Sequence, residues 1–311
     1  MRVLLALGGN AMTAPDGSAT PAAQIEAVGV AMRSAAGLVA RGHELVVTHG
    51  NGPQVGNILV KNELAAHVVP PVPLDWCGAQ TQGTLGFTIM NALDDALRDL
   101  GLDTPVAALV TRTLVDRDDQ GFTHPSKPIG RYLPREQAQT LIDHGQVWQD
   151  RGEKGWRRVV ASPEPLEVLD VGPARVLVES GHVVVAAGGG GIPVVREADG
   201  RLRGVEAVID KDLTAALLAR TLAADVLVIA TDVDHASLDW GTDTQRELGR
   251  VTLTEMRRYA DDGQFAAGSM GPKADAAVRF VAGGGPRSVI TSLTHITDAV
   301  EGGFGTVIEP G

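Results

Sequence analysis

The sequence predicts an α/β fold: a three-layer αβα sandwich around a mostly parallel central sheet, with a small protruding subdomain. Two features and their alternation predict it. Runs of β-branched and aliphatic residues at 3–7, 44–48, 106–111, 182–187, 226–230 and 288–291 read as strands. Between several of them lie alanine-rich stretches with apolar residues at helical spacing, at 22–40, 80–100, 213–223 and 274–281. Strands that are almost continuously apolar and alternate with helices belong to a parallel sheet covered on both faces.

In chain order, the first strand stops at Gly8-Gly9-Asn10 and the second at Gly50-Asn51-Gly52-Pro53. After the run at 106–111 the rhythm breaks. Residues 116–165 are polar, with charge clusters at 116–119 and 151–154 and three prolines by Pro134. Residues 147–149 and 156–160, separated by a charged turn with glycine, read as a hairpin. This stretch is either an inserted subdomain or a long surface excursion. The strand at 182–187 runs into Gly188-Gly189-Gly190-Gly191, and a second hairpin is expected at 192–195 and 202–205 around Asp199-Gly200. Asp210-Lys211-Asp212 opens a helix, with Asp212 as N-cap or first-turn acid.

Composition bounds the function. The 311 residues are long enough to bury a sizeable core unaided. The one cysteine, Cys77, excludes an internal disulfide and any multi-cysteine zinc site, and fits a reducing compartment, so the cytoplasm is expected. With 27 Lys and Arg against 38 Asp and Glu, the net charge of −11 opposes non-specific binding of nucleic acid or anionic membrane. No apolar run approaches the roughly eighteen residues of a membrane span, and the N-terminus lacks a signal-peptide layout.

Glycine is in excess: 38 residues, where average usage would give roughly 22. Three clusters sit at predicted strand ends, where an open α/β sheet forms its ligand crevice and where glycine lets backbone N–H groups approach an anion. Any one of these turns reads equally as a tight connection. Three of them point to an anion site at Gly8, Gly9, Asn10, Gly50, Asn51, Gly52 and Gly188–Gly191.

The common nucleotide signatures fail. Gly268-Ser269-Met270-Gly271-Pro272-Lys273 has the wrong spacing for a phosphate-binding loop, and a dinucleotide fingerprint starting at Gly188 meets Pro193. The protein-kinase set, the G-x-S-x-G elbow and H-E-x-x-H are absent. Three lysines nevertheless lie in constrained turns: Lys127 between Pro125 and Pro128, Lys211 between two aspartates, and Lys273 after Gly271-Pro272. Each alone would read as a solvated charge. Together they suit phosphoryl transfer, where positioning and neutralisation of the transferring oxygens do most of the catalysis. Asp210 is then the residue expected to hold ammonium groups in place.

These strings resemble the carbamate kinases of the amino-acid kinase family. The most specific are His49-Gly50-Asn51-Gly52-Pro53-Gln54 and Lys127-Pro128-Ile129-Gly130, with Pro73-Leu74-Asp75, Cys77-Gly78-Ala79-Gln80, residues 204–212 and Met270-Gly271-Pro272-Lys273 in the same order. The resemblance implies one amino-acid-kinase-type domain over 1–311. An acceptor lobe would span about 1–212 and contain a protruding subdomain at about 116–165, and a nucleotide lobe would span about 213–311. It implies reversible transfer between ATP and carbamate, with ADP and carbamoyl phosphate on the other side, running toward ATP in arginine catabolism, in a cytoplasmic homodimer.

Carried onto this chain, the resemblance gives Gly8, Gly9, Asn10, Gly50 and Asn51 to the acceptor. It gives Lys127 to a reach from the subdomain, Lys211 to the bridge between donor and acceptor oxygens, and Lys273 to the nucleotide phosphates, with Asp210 orienting the lysines. Thr231, Asp232, Asp234, Met270, Gly271 and Pro272 fall to the nucleotide pocket. Mg²⁺ is expected to arrive on ATP or ADP, held mainly by phosphate oxygens. His124, Glu164, Trp76 and His235 depart from the residue types the pattern carries. Two other readings stand beside this one: a related enzyme phosphorylating another small carboxylate, phosphate or phosphonate, and a catalytically silent nucleotide-binding regulator.

Overall fold

The protein is described by a computed structural model covering residues 1–9, 20–266 and 268–311. In chain order it runs β1 Arg2–Leu7, α1 Pro21–Ala40, β2 Glu44–His49, α2 Gly52–Ala65, α3 Leu74–Asp99, β3 Val106–Ala108, β4 Arg112–Val115, α4 Gln120–Thr123 and β5 Lys127–Leu133. There follow α5 Arg135–Asp143, β6 Trp148–Asp150, β7 Trp156–Val160, β8 Pro165–Val168, α6 Val171–Glu179, β9 Val183–Val185, β10 Ile192–Arg196, β11 Leu202–Gly204 and α7 Lys211–Thr221. The chain ends with β12 Val226–Thr231, β13 Ser237–Leu238, β14 Arg246–Glu247, β15 Arg250–Thr252, α8 Leu253–Asp261, α9 Met270–Ala282, β16 Arg287–Ser292, α10 Ile296–Val300 and β17 Thr306–Glu309.

The central sheet has eight strands in the order β15-β17-β16-β12-β1-β2-β9-β3. Six run parallel; β17 turns back antiparallel on β16, and β15 pairs parallel to β17. Alternation along the central strands separates two cores. Leu4 and Ala6 of β1 and Leu227 and Ile229 of β12 face one side, with Ala174 of α6, Leu218 of α7, Met256 of α8 and Phe280 of α9. Val3, Leu5 and Leu7, with Val226 and Val228, face the other, against Met32 of α1, Ile89 of α3 and Ile296 of α10. These are the three layers expected from the sequence. Full burial of each such leucine or isoleucine is worth roughly 1.5–3 kcal/mol, so the sheet that carries the site is the most strongly held part of the chain.

Both expected hairpins form. β6 and β7 pair antiparallel, and β5 joins them in a three-stranded sheet with its own small core of Leu133, Ala138 and Trp148. β10 and β11 pair as expected, but within a second, four-stranded sheet ordered β11-β10-β4-β8. The runs at 106–111 and 182–187 pair in the main sheet over only three residues each. Ala187 stands at φ 53°, outside strand geometry, with its N–H and C=O bonded by the hydroxyls of Thr111 and Thr48 at 2.7 and 3.0 Å.

Candidate active site

The carboxyl ends of β1, β2 and β12 lie side by side, and the glycines there serve close approach. Gly8 donates to Ala230 O and Gly50 to Leu7 O, both at 3.0 Å. A side chain at Gly50 would lie 3.3 Å from the Gly9 nitrogen and 3.5 Å from Lys211 Cδ. Gly8, Gly9, Thr231, Asp232, Met270 and Lys273 line one cavity of about 740 Å³. Asn10 lies outside the described residues.

The lysines converge on two aspartates. Asp210 is the N-cap of α7; its Oδ1 accepts from the N–H groups of Asp212 and Leu213 at 2.9 and 3.4 Å. Its Oδ2 accepts from Lys127 Nζ at 2.6 Å. Lys127 starts β5, which α2 approaches closely: a Cβ on Gly56 would stand 3.2 Å from Gly130 Cα. That contact brings the three-stranded sheet's lysine to the end of α7.

The expectation that Asp210 orients the lysines needs correction. It holds Lys127, whereas Lys211 Nζ pairs with Asp212 Oδ1, and Lys273 Nζ reaches Asp212 Oδ2 at 3.3 Å. Capping of α7 already uses Oδ1 of Asp210, so the carboxylate in the first turn takes the other two ammonium groups. Asp212 keeps a side-chain exposure of 5%, and Lys211 and Lys273 keep 12% and 14%. Burial raises the Asp212 carboxyl, but the two ammonium groups outweigh it and hold it below the usual carboxylate range. Burial pushes Lys211 below the ordinary lysine value; Asp212 opposes that and Lys273 adds to it.

In the four-glycine turn, the expectation of anion-facing N–H groups needs correction at Gly190 and Gly191. Gly188–Gly191 are buried. Gly190 and Gly191 donate to Ala187 O and Gly188 O, so these two N–H groups close the turn rather than face a ligand. Three of the four take positive φ, and side chains at Gly188 and Gly189 would overlap His49 and Asn51. The turn therefore packs behind the loop that follows β2, and Gln82, Thr113 and Thr214 clamp its carbonyls at 2.9–3.0 Å.

Asp234, Gly271 and Pro272 do not line the cavity. Asp234 is exposed, and Gly271 donates to Ala266 O at 2.9 Å, shaping the start of α9 so that Lys273 points inward. Sequence reading missed Asp212, taken only as a helix-end acid, and the aromatic wall of the cavity. Trp240, 63% exposed, and Phe265 line it beside Val233. An isolated tryptophan in the polar string Asp239-Trp240-Gly241-Thr242 was the available signal. Of the four departures, Glu164 forms an ion pair with Arg279 of α9, His235 packs on Phe304 with ring centroids 5.0 Å apart, and Trp76 and His124 are exposed.

His49 lies at the floor of the site, buried, with Nδ1 donating to Gly50 O at 3.0 Å. Burial lowers its pKa from the ordinary 6.5 to about 4. Its folded pKa lies below its unfolded one, so its contribution to stability is fully present above pH 6.5 and is lost as the pH falls to about 4. The loss should reach about 3 kcal/mol. Urea unfolding of the wild type and His49→Asn across this window checks it: the stability gap between them should narrow as the pH falls. A constant gap contradicts the assignment.

Buried lysines, glycine turns at the ends of parallel strands and an aromatic-walled cavity define a phosphoryl-transfer site, and the chain belongs to the amino acid kinase family, whose sequence profile matches residues 1–292. Among its relatives, the carbamate kinase of Pyrococcus horikoshii is 43% identical over 312 residues, covering 99% of both chains. That of Staphylococcus haemolyticus is also 43% identical, again over 99% of both. Among solved structures, the carbamate kinase of Giardia lamblia bound to AMP-PNP superposes with a TM-score of 0.94 at 40% identity, covering 100% of this chain and 98% of that one.

Proposed function

We propose that this protein is a carbamate kinase, catalysing ATP + carbamate = ADP + carbamoyl phosphate. One observation carries the choice of acceptor: both aspartates at the reacting centre are tied to lysines, Asp210 to Lys127 and Asp212 to Lys211 and Lys273. A hydroxyl acceptor would need a carboxylate free to take its proton. Carbamate arrives as an anion and needs no base, only neutralisation of charge between two anions.

In the ATP-forming direction, a terminal oxygen of ADP attacks the phosphorus of carbamoyl phosphate. The bond from phosphorus to the carbamoyl oxygen breaks, and its electron pair leaves on carbamate. Lys211 and Lys273 neutralise the transferring oxygens and the nucleotide phosphates, and Lys127 meets the acceptor from its own sheet. Gly8, Gly9, Gly50 and Asn51 lie on the acceptor side in this reading, and Thr231, Asp232, Met270, Trp240 and Phe265 on the nucleotide side. The acceptor lobe is residues 1–212 with the subdomain at 116–165, and the nucleotide lobe is 213–311.

Among the described residues no group of three or more His, Cys, Asp or Glu could hold a metal ion. This donor set fits Mg²⁺ carried in by the phosphates, where it would offset their charge. We assign the enzyme to the cytoplasm and to ATP production in arginine catabolism. No helix among the described residues is long and apolar enough to cross a membrane. A homodimer completes the reading, supported by Trp76 and Phe87, 61% and 63% exposed and three turns apart on α3.

Purified protein given ADP, Mg²⁺ and carbamoyl phosphate should form ATP, and acetyl phosphate in its place should not support comparable turnover. Folded protein that makes no ATP above background from carbamoyl phosphate refutes the assignment.

A further inference from the structure

Asn51 stands at the N-cap of α2, where an asparagine side chain ordinarily accepts from the first turn of its own helix. Here it makes no such bond. Its Nδ2 donates instead to Thr81 Oγ1 on α3, at 2.9 Å. Thr81 is buried, and its hydroxyl proton is already committed, donating to Gly78 O one turn earlier at 2.7 Å. With that proton committed, Thr81 can only accept from Asn51. The amide must therefore present N–H to Thr81, and its carbonyl oxygen accepts nothing from the described residues. The amide also packs closely against Gly189, where a Cβ would stand 2.0 Å from Nδ2.

We propose that Thr81 is a positioning residue for the phosphoryl acceptor. It turns the Asn51 amide away from its helix end and fixes which face of that amide meets the substrate. The oxygen of Asn51 and the uncapped end of α2 are then both available to the acceptor, the first to an amino group and the second to anionic oxygens. This pairing suits a molecule such as carbamate, which carries both. The inference rests on the acceptor-side reading of Asn51.

Thr81→Val keeps the shape and removes the accepting oxygen; Thr81→Ser restores it. In the ATP-forming assay, Thr81→Val should raise KM for carbamoyl phosphate about tenfold, the equivalent of one net hydrogen bond, with KM for ADP within twofold of wild type. Thr81→Ser should return to wild-type values. Because Thr81 acts through Asn51, adding Thr81→Val to Asn51→Ala should change nothing further.

Wild-type kinetics in Thr81→Val, an equal rise in both KM values, or failure of serine to rescue would each overturn the proposal. If Thr81→Val does not fold, Thr81→Ala carries the same expectations. Should the wild type make no ATP from carbamoyl phosphate, the functional reading fails separately. Inorganic phosphate is then the probe: raising the melting temperature of wild type and Thr81→Ser but not of Thr81→Val supports the positioning role, and equal shifts in all three overturn it.

Discussion

Lys211→Ala is expected to lower kcat by about 10³-fold or more, the range for losing a charge aimed at a transferring phosphoryl group. The Lys211 stem passes Gly50 at the end of β2, and its ammonium group pairs with the Asp212 carboxylate that also holds Lys273. No neighbouring cation among the described residues replaces it, because Lys127 is held on Asp210 and Lys273 on the other oxygen of Asp212. Substrate KM values should move far less than kcat, since the charge matters most when the phosphoryl group lies between donor and acceptor. Lysines in sequence turns suggest exposed groups whose loss spares the fold. The 12% exposure of Lys211 changes that expectation: its removal leaves a buried carboxylate with one partner and should cost about 1–3 kcal/mol. Lys211→Met, which keeps the packing of the stem, separates the two effects. Rapid-quench turnover and urea unfolding on both variants check this, and retention of more than a tenth of kcat would remove Lys211 from the chemistry.

The sequence made the frame legible where local chemistry and tertiary role coincide. Apolar runs such as Val226–Thr231 are central parallel strands because they have no polar face to turn to water. The β6–β7 hairpin was readable from a charged turn between two short strands. Roles set by distant partners were not readable. Nothing local distinguishes Asp210 from Asp212 as a lysine ligand; the choice follows from Asp210 Oδ1 capping α7, which only the helix start reveals. The glycines at 188–191 have the composition of an anion loop, yet His49, Asn51, Ile209 and Thr113 fill the space their missing side chains leave. Contacts across 138 residues of chain, as between Asn51 and Gly189, leave no trace in spacing. Thr81 is likewise an ordinary helical threonine until the fold sets Asn51 against it.

Asp212→Asn should damage both stability and turnover, in a way that separates electrostatics from misfolding. The amide leaves Lys211 and Lys273 as two nearly buried ammonium groups with no carboxylate between them, and breaking such a pairing costs about 3–5 kcal/mol. Lys211 already titrates below the ordinary lysine value because of burial, and the adjacent Asp212 carboxylate is the main opposing influence. Without it, the Lys211 pKa falls further. The folded state then binds fewer protons than the unfolded chain from that lowered pKa up to the ordinary 10.5, so stability must rise with pH across the window. Turnover requires the charged form, so its alkaline limb must move to lower pH and activity must fall across the same window. A variant that was merely misfolded would gain activity where it gains stability. Opposite slopes of kcat and unfolding free energy against pH in Asp212→Asn, with a wild type whose alkaline limb lies higher, are the expected result. Parallel slopes would mean that Asp212 supports the fold without setting the charge of Lys211.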